Sequence, residues 1–580
     1  MIFNTLNVAA SSLKTQQKAI DVVSHNMANV NTPGYSRQTA ELAALSPQQL
    51  QGFSLGRGVD LNNISRSVDG VVNQAMLRNS PQQAYWAGVK SGLNSVEYVF
   101  GSLQSTGLSS AVDDLFLAGQ QMANAPEDVA LKLNMRTKSS ALTTHLSNMS
   151  NELQAAQQTA DTSIDQNLLS ANKLLTTIAS LNVQISKNES SAHGVVGAAN
   201  DLRDQRDQAV RDLSGILPIQ DVRTSDGGVL LQTMGGDLLL QDGNAQQLAR
   251  GGVVANSSFR GVVFAGTTTP VTGLDKGGVI GGSIALRDGR LAGYIQDLDS
   301  IAVNLSFAMN QANASGVGSS RASQVQSGLG ATNTALPVDD VAQNNPFAPQ
   351  IQNGTFSMHV YDAAGAPLVP ASKGTITITA GVSTMASIAA DITTLVPGVS
   401  ASVDATTGKL VMNAGVNTVG FSDDSSNFLA AYQVNSLFQG TNAAGLKLSD
   451  AVQADAGMIA TGQIDLATSA INVADNKAAL LMMDIQNKSI SIDGTASTAL
   501  NTRTSLLSTK YGNDVALAAQ QQTFFQAEAD SLSQQRQAFS GVNIDEELVS
   551  MIKFQRAYEA SAKVIQTSNL MMDSLMGLIR

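Results

Sequence analysis

The 580-residue chain contains no cysteine, which excludes a disulfide framework and any thiolate metal site and leaves the redox compartment open. Aromatic residues make up 4% and charged residues 14% of it while 43% is hydrophobic, so its surface must rely on Ser, Thr, Asn and Gln. Positive charge is short as well. Lys and Arg number 34 against 46 Asp and Glu, a net charge of −12, and without clustered basic residues phosphates go unneutralised, so no nucleic-acid partner is expected. No apolar run approaches the length of a transmembrane helix, and no membrane insertion is expected. The first residues lack a basic n-region, and Asn4, Thr5 and Asn7 break any apolar signal core. The chain is therefore expected to stay in the cytoplasm or to leave by a route that reads no such signal.

Chemistry-bearing constellations are equally sparse. His25, His145, His193 and His359 lie far apart and lack the spacing of metal-binding motifs, so neither metal nor cofactor is expected. Ser550-Met551-Ile552-Lys553 matches a serine–lysine acylation motif but falls within a helical seam. Gly277-Gly278-Val279-Ile280-Gly281-Gly282 lacks the dinucleotide fingerprint and reads as a β-turn. Glu546-Glu547 and Asp423-Asp424 are neighbours in sequence, which does not set two carboxylates across a cleft as a glycosidase requires. No enzyme is expected from these residues.

What the chain does have is helical seams at its two ends. Ile2, Leu6, Ala9, Leu13, Gln16, Ile20, Val23, Met27 and Val30 recur four and three residues apart, with only Gln16 polar. The helix must stop at Asn29-Val30-Asn31-Thr32-Pro33-Gly34-Tyr35, because proline removes a donor and Pro-Gly suits a type II turn. Such a seam contributes roughly 10–20 kcal/mol if buried, whereas ordering its residues costs on the order of 30–60 kcal/mol. A partner surface is needed. At the other end Leu548, Met551, Gln555, Tyr558, Ala562, Ile565, Asn569, Met572, Met576 and Ile579 form one seam, and Phe554, Ala557, Val564, Met571, Leu575 and Leu578 a second stripe. A helix apolar on two sides must be covered on two sides. The two terminal helices, roughly 43 Å and 50 Å long, suit side-by-side packing.

Between the ends the pattern is helical from about Gln82 to Leu217. Leu142, Leu146, Met149, Leu153, Ala156 and Ala160 keep one phase, and Ile164, Leu168, Ala171, Leu175 and Ile178 resume it after a stutter. Trp86 reads as a core anchor of this bundle. The run Asp201 to Asp207 reads as a solvated helical face with weak internal ion pairs. After Pro218 the period changes: Val229 to Gln232 and Leu238 to Leu240 flank Gly235-Gly236 as a hairpin, with further short strands to about Leu286. A helix returns from Leu291 to Met309. Gly316 to Gln350 reads as a linker or irregular crossing. Alternation at Phe356, Met358 and Val360, at Ile376 and Ile378, and at Leu410 and Met412, with Met385, Ile388, Ile392 and Leu395 on a short helix, outlines a small α+β module. From Leu446 to Arg580 the pattern is helical again, broken near Gly494.

The expected fold is multidomain α+β, with paired terminal coiled-coil helices, a long helical bundle and β-rich modules in the middle. The expected domains are 1–65 with 540–580 for assembly, 66–217 with 287–313 and 446–539 as the bundle, 218–286 as a hairpin-rich segment, and 314–445 as linker and outer module.

Ser24-His25-Asn26-Met27-Ala28-Asn29-Val30-Asn31-Thr32-Pro33-Gly34-Tyr35 resembles the N-terminal signature of bacterial flagellar rod, hook and hook-associated axial proteins. Ser540-Gly541-Val542-Asn543-Ile544-Asp545-Glu546-Glu547, with Gln555-Arg556-Ala557-Tyr558 and Ala562-Lys563-Val564-Ile565, resembles their C-terminal signature. Tyr35-Ser36-Arg37-Gln38, the Asp204-Gln205-Arg206-Asp207 segment and the length point within that family to a hook–filament junction member rather than to a hook or rod protein. The resemblance implies export through the flagellar type III channel, a dedicated export chaperone at the C-terminal helix, and self-assembly as a ring of helical symmetry on the hook. The hook protein and a second junction protein are the implied neighbours. Leu6, Leu13, Ile20, Val23, Met27, Leu548, Met551, Ile565, Met572 and Leu575 are the expected assembly seam. Asn29, Asn31, Thr32, Pro33, Gly34, Tyr35, Gly541, Asn543, Glu546, Glu547, Gln555 and Tyr558 carry the signatures.

Overall fold

The computed structural model describes residues 2–50, 53–100, 107–191, 197, 199–223, 228–254, 258–370, 372–492 and 498–578. His193, Gly494 and Ile579 lie outside the described residues. Helix α1 (Ile2–Ala28) leads into β1 (Gln38–Ala44), β2 (Gln48–Leu50), β3 (Phe53–Leu55) and β4 (Val59–Arg66). Helices α2 (Gly70–Ser95), α3 (Glu97–Phe100), α4 (Leu108–Asn124), α5 (Val129–Ser191) and α6 (Asn200–Ile216) follow. Next come β5 (Ile219–Arg223), β6 (Val229–Thr233), β7 (Leu238–Gln241), β8 (Asn244–Ala245), β9 (Leu248–Val253) and β10 (Arg260–Phe264), then α7 (Gly278–Ile284) and α8 (Ala292–Ala314). The middle of the chain adds β11 (Gln324–Gly330), β12 (Gly354–Tyr361), β13 (Lys373–Ile378), α9 (Met385–Leu395), β14 (Ser400–Val403), β15 (Lys409–Asn413) and β16 (Thr418–Ser422). Last are α10 (Phe428–Ala431), β17 (Phe438–Gln439), β18 (Lys447–Leu448), α11 (Asp450–Ala454), α12 (Lys477–Asp484), α13 (Leu500–Ser540) and α14 (Ile544–Leu578).

Two compact units result: Met1–Gly92 with Thr159–Leu286 and Ala516–Arg580, and Leu93–Gln158 with Arg287–Val515. In the first, Ile164, Leu168, Leu175 and Ile178 of α5 share one core with Leu213 of α6 and with Leu231 and Leu240 of the antiparallel sheet β5-β6-β7-β8. The predicted α5 stripe is thus buried, and the Gly235-Gly236 turn links β6 to β7 with Gly236 at φ +91°. Gly277–Gly282 is not a β-turn. Residues from Gly278 form α7, because a Cβ at Gly281 would stand 2.2 Å from Leu274 O and one at Gly282 would stand 2.7 Å from Tyr85 O. The glycines let this short helix touch backbone, a tertiary requirement that overrides their poor helix propensity. Gln38–Ala44 pairs with Val59–Arg66 as an antiparallel ribbon, with a bulge between Glu41 and Leu42. Trp86 is half-buried, set edge-on against Tyr85, rather than a core residue.

In the second unit α8 is buried on every side from Ser300 to Asn310. Its polar side chains are satisfied: Asn310 donates to Phe438 O and accepts from Leu437 N and Phe438 N, and Asn304 accepts from Ile492 N. The predicted module is there as two sheets, β11-β15-β14 and β13-β12-β16, with α9 opened by a Thr384/Ser387 capping box. Leu395 faces solvent, and Ala389 takes its place inside. Gly316–Gln350 is no linker. It contributes β11 and the buried Phe347, which stacks on Phe307 of α8, so the module's core runs on into that helix. Helical structure does not begin at Leu446 either. Among the described residues up to Leu500 only short pieces form, because Asp455, Asp465, Asn472 and Asp475 accept from backbone amides a few residues on, which closes turns instead of helix.

His359 on β12 is buried, with Nδ1 2.9 Å from Ser469 Oγ and Nε2 3.0 Å from Ser422 Oγ. Burial, aided by Lys373 and opposed by Asp423, lowers its pKa, and burial does the same at His145. The unfolded chain therefore takes up the proton first, so this contribution is complete above about pH 6.5 and declines as pH falls below it. Thermal melts at stepped pH are expected to show acid sensitivity beginning there, with a flatter slope in His359→Gln.

Candidate assembly surface

Helices α1 and α14, about 40 Å and 52 Å long, lie along each other. Ser12 Oγ meets Ser561 Oγ at 2.8 Å and Asn26 Nδ2 donates to Glu547 Oε2 at 3.0 Å, so the pair is antiparallel. Both steps are fourteen residues, two heptads, which returns each helix to the same face. The covered stripe on α1 is Ser12, Thr15, Ala19, Val22 and Asn26, one residue back from the apolar seam read in the sequence. Along α14 it includes Glu547, Phe554, Ala557, Ser561 and Ser568. Of the expected seam, Val23 is buried, whereas Leu6, Leu13, Ile20, Met27, Met551, Ile565 and Met572 are half-covered at the rim. Leu548 and Leu575 are exposed. Val549, Ile552, Leu570 and Met576 also stand in solvent, at 67, 55, 65 and 68% exposure. On α14, then, the covered stripe mixes Phe554, Met551 and Ile565 with small and polar residues, and further large apolar side chains are left in solvent.

One end of the pair is fixed by a polar node. Thr32 O accepts from Tyr35 N around Pro33 and Gly34, whose φ of +85° gives the turn its shape. Thr32 Oγ1 donates to Asn29 Oδ1, and Gly34 O accepts from Arg536. Tyr35 donates to Asn26 Oδ1 at 2.8 Å. Burial, then the carboxylates of Asp201, Asp204 and Glu547, push its hydroxyl pKa up and keep it a donor. Arg37 forks onto Glu547 (2.7 Å) and Glu546 (2.9 Å), and its amide donates to Ser540 O. The acids at the start of α14 thus serve as docking partners as well as favourable N-terminal charges. Asn543 accepts from Asp545 N, and Gly541 closes on Gln537 O, where a Cβ would stand 2.3 Å away. Asn31, Gln555 and Tyr558 are exposed and stand outside the node.

The run Asp201 to Asp207 is not a solvated face. Asp204, Arg206 and Asp207 are buried, and Arg66 Nη1 lies 2.7 Å from Asp204 and 3.2 Å from Asp207. Asp204 also accepts from Ser36 N at 2.9 Å, and Asp201 from Gln38 Nε2 at 2.7 Å. Burial lifts the Asp204 pKa, with Arg66 and the Ser36 amide pulling the other way. Sequence reasoning missed Asn26, Arg37, Arg66 and Asp204 as node members. The one available signal was three aspartates at i, i+3 and i+6, which share a helix face. Among the described residues no group of three or more His, Asp or Glu is placed to hold a metal ion.

Terminal helices that pair antiparallel yet keep apolar side chains in solvent offer a surface that a further protein could cover. The flagella basal body rod protein family matches residues 6–35, and the flagellar basal body rod FlgEFG protein C-terminal family residues 533–578. The flagellar hook-associated protein FlgK helical domain family matches residues 93–325. Flagellar hook-associated protein 1 of Escherichia coli (strain K12) is 26% identical over 589 residues, 99% of either chain. That of Bacillus subtilis (strain 168) is 25% identical over 351 residues, 54% of this chain and 68% of that one. The flagellar hook junction protein FlgK from Burkholderia pseudomallei has a similar fold, with a TM-score of 0.51 and 16% identity over 81% of this chain and all of that one. The chain is similar to flagellar hook-associated protein 1 over nearly its whole length.

Proposed function

We propose that this chain is a non-enzymatic structural part of the bacterial flagellum, assembling at the hook tip and joining hook to filament. The observation that carries the reading is α14, whose residues Val549, Ile552, Leu570 and Met576 stand mostly in solvent. Neighbouring copies supply that cover, and a head-to-tail contact that does not close on itself generates an open helical array. Residues 1–65 and 540–580 are the part that neighbours touch. The hook protein lies below the ring and a second junction protein adds above it. Export is by the flagellar type III route, with a dedicated chaperone shielding α14 until delivery.

The test is a strain lacking this chain. Complete hooks that shed unpolymerised filament subunits, cured by restoring the chain, are the expected outcome. Failure to form hooks at all would make it a hook or rod protein instead.

A further inference from the structure

Asn26 is 1% exposed, and every hydrogen-bonding position of its amide is occupied. Nδ2 donates to Gln38 O at 2.8 Å and to Glu547 Oε2 at 3.0 Å. Oδ1 accepts from Gln38 N at 2.9 Å and from the Tyr35 hydroxyl at 2.8 Å. No carboxylate or hydroxyl of similar size offers two donors and two acceptor positions from one planar group. Elsewhere along the pair the contacts are less particular. Ser12 Oγ meets Ser561 Oγ at 2.8 Å, two hydroxyls either of which can donate, and among the described residues the buried Ser568 hydroxyl has no hydrogen-bond partner. A slide of α14 by one turn brings Tyr558 or Ile565 opposite Ser12, side chains that stand at the part-exposed edge of the pair. The link Gly541–Asn543 permits it, since three residues span up to about 10 Å and one turn is about 5.4 Å. A buried polar residue in a helix pair closes such a choice, because only one alignment satisfies it.

We infer that Asn26 is a positioning residue whose bond to Glu547 fixes the antiparallel register of the two terminal helices. It thereby decides which side chains of the two helices meet. The inference concerns the dispersed chain, so it stands or falls apart from the hook-tip reading.

The absence of native cysteine makes the test direct. In the full chain, Ser12→Cys with Ser561→Cys reports the observed register, and Ser12→Cys with Ile565→Cys or Tyr558→Cys reports slips of one turn. After oxidation in dilute solution, with monomers selected by mass, the 12–561 bridge should dominate at least tenfold. In an Asn26→Ala or Asn26→Asp background the slipped bridges should gain at least tenfold relative to 12–561. Glu547→Gln, which still accepts from Nδ2, should retain the parent pattern. Unchanged 12–561 dominance in both Asn26 variants would overturn the inference. An equal fall of all three bridges would overturn it too, since it would mean that Asn26 supports folding without choosing a register.

Discussion

A chain carrying Val549→Asp and Ile552→Asp is expected to fold as the parent does but to assemble on isolated hook tips at least about 100-fold less tightly. Both side chains stand in solvent on α14, more than half exposed, so their replacement should change the stability of the free chain by no more than about 0.5 kcal/mol each. In the assembly they are covered by neighbours, and each forfeits roughly 1.5–3 kcal/mol of apolar burial. The lower bound of that pair, about 3 kcal/mol, is about two powers of ten in affinity. Sedimentation of labelled chain with purified hooks measures the loss, and circular dichroism of the same sample checks the fold. Equal co-sedimentation of variant and parent would remove α14's outer face from the interface.

Replacing Arg206 should cost far more than a surface arginine. Its Nη1 donates to Asn182 Oδ1 at 3.0 Å, and Asn182 in turn donates to Val229 O and Asp242 O, so the guanidinium ties α6 through α5 to the sheet. It is 1% exposed, beside Asp207, which also receives Arg66. Arg206→Ala leaves the Asn182 oxygen without its donor and takes one of two cations from beside Asp207 in a dry site, a loss of about 3–5 kcal/mol. A solvated arginine would cost within about 0.5 kcal/mol. Urea unfolding followed by amide exchange at Ile164–Ile178 distinguishes the two values.

These two sites mark where the sequence was readable and where it was not. Periodicity showed that α1 and α14 are amphipathic and that α5 buries Leu142 to Ile178, because a four-three repeat is a local property of the chain. It did not show which face turns inward on a helix apolar on two sides. That choice was made by Asn26, Glu547 and the serines, whose partners lie some 520 to 550 residues away in the chain. Asp204 and Arg206 read as surface charges for the same reason: Arg66, Ser36 and Asn182 are distant in sequence and give no local signal. Gly277–Gly282 lost its turn reading to close backbone contacts with Leu274 and Tyr85, which no spacing rule records. The signatures, by contrast, were legible as strings before their geometry was known, and Pro33-Gly34 dictates its own turn wherever it occurs.

Amide exchange across residues 2–28 and 544–578, compared between the dispersed chain and copies seated on hooks, tests the central claim most directly. Protection there should be weak in solution, well below that of Ile164–Ile178, and should rise at least tenfold on the hook as neighbours cover α14. Equally strong protection in both states would mean that the terminal pair is already complete within one chain, and the claim that other copies finish it would be wrong.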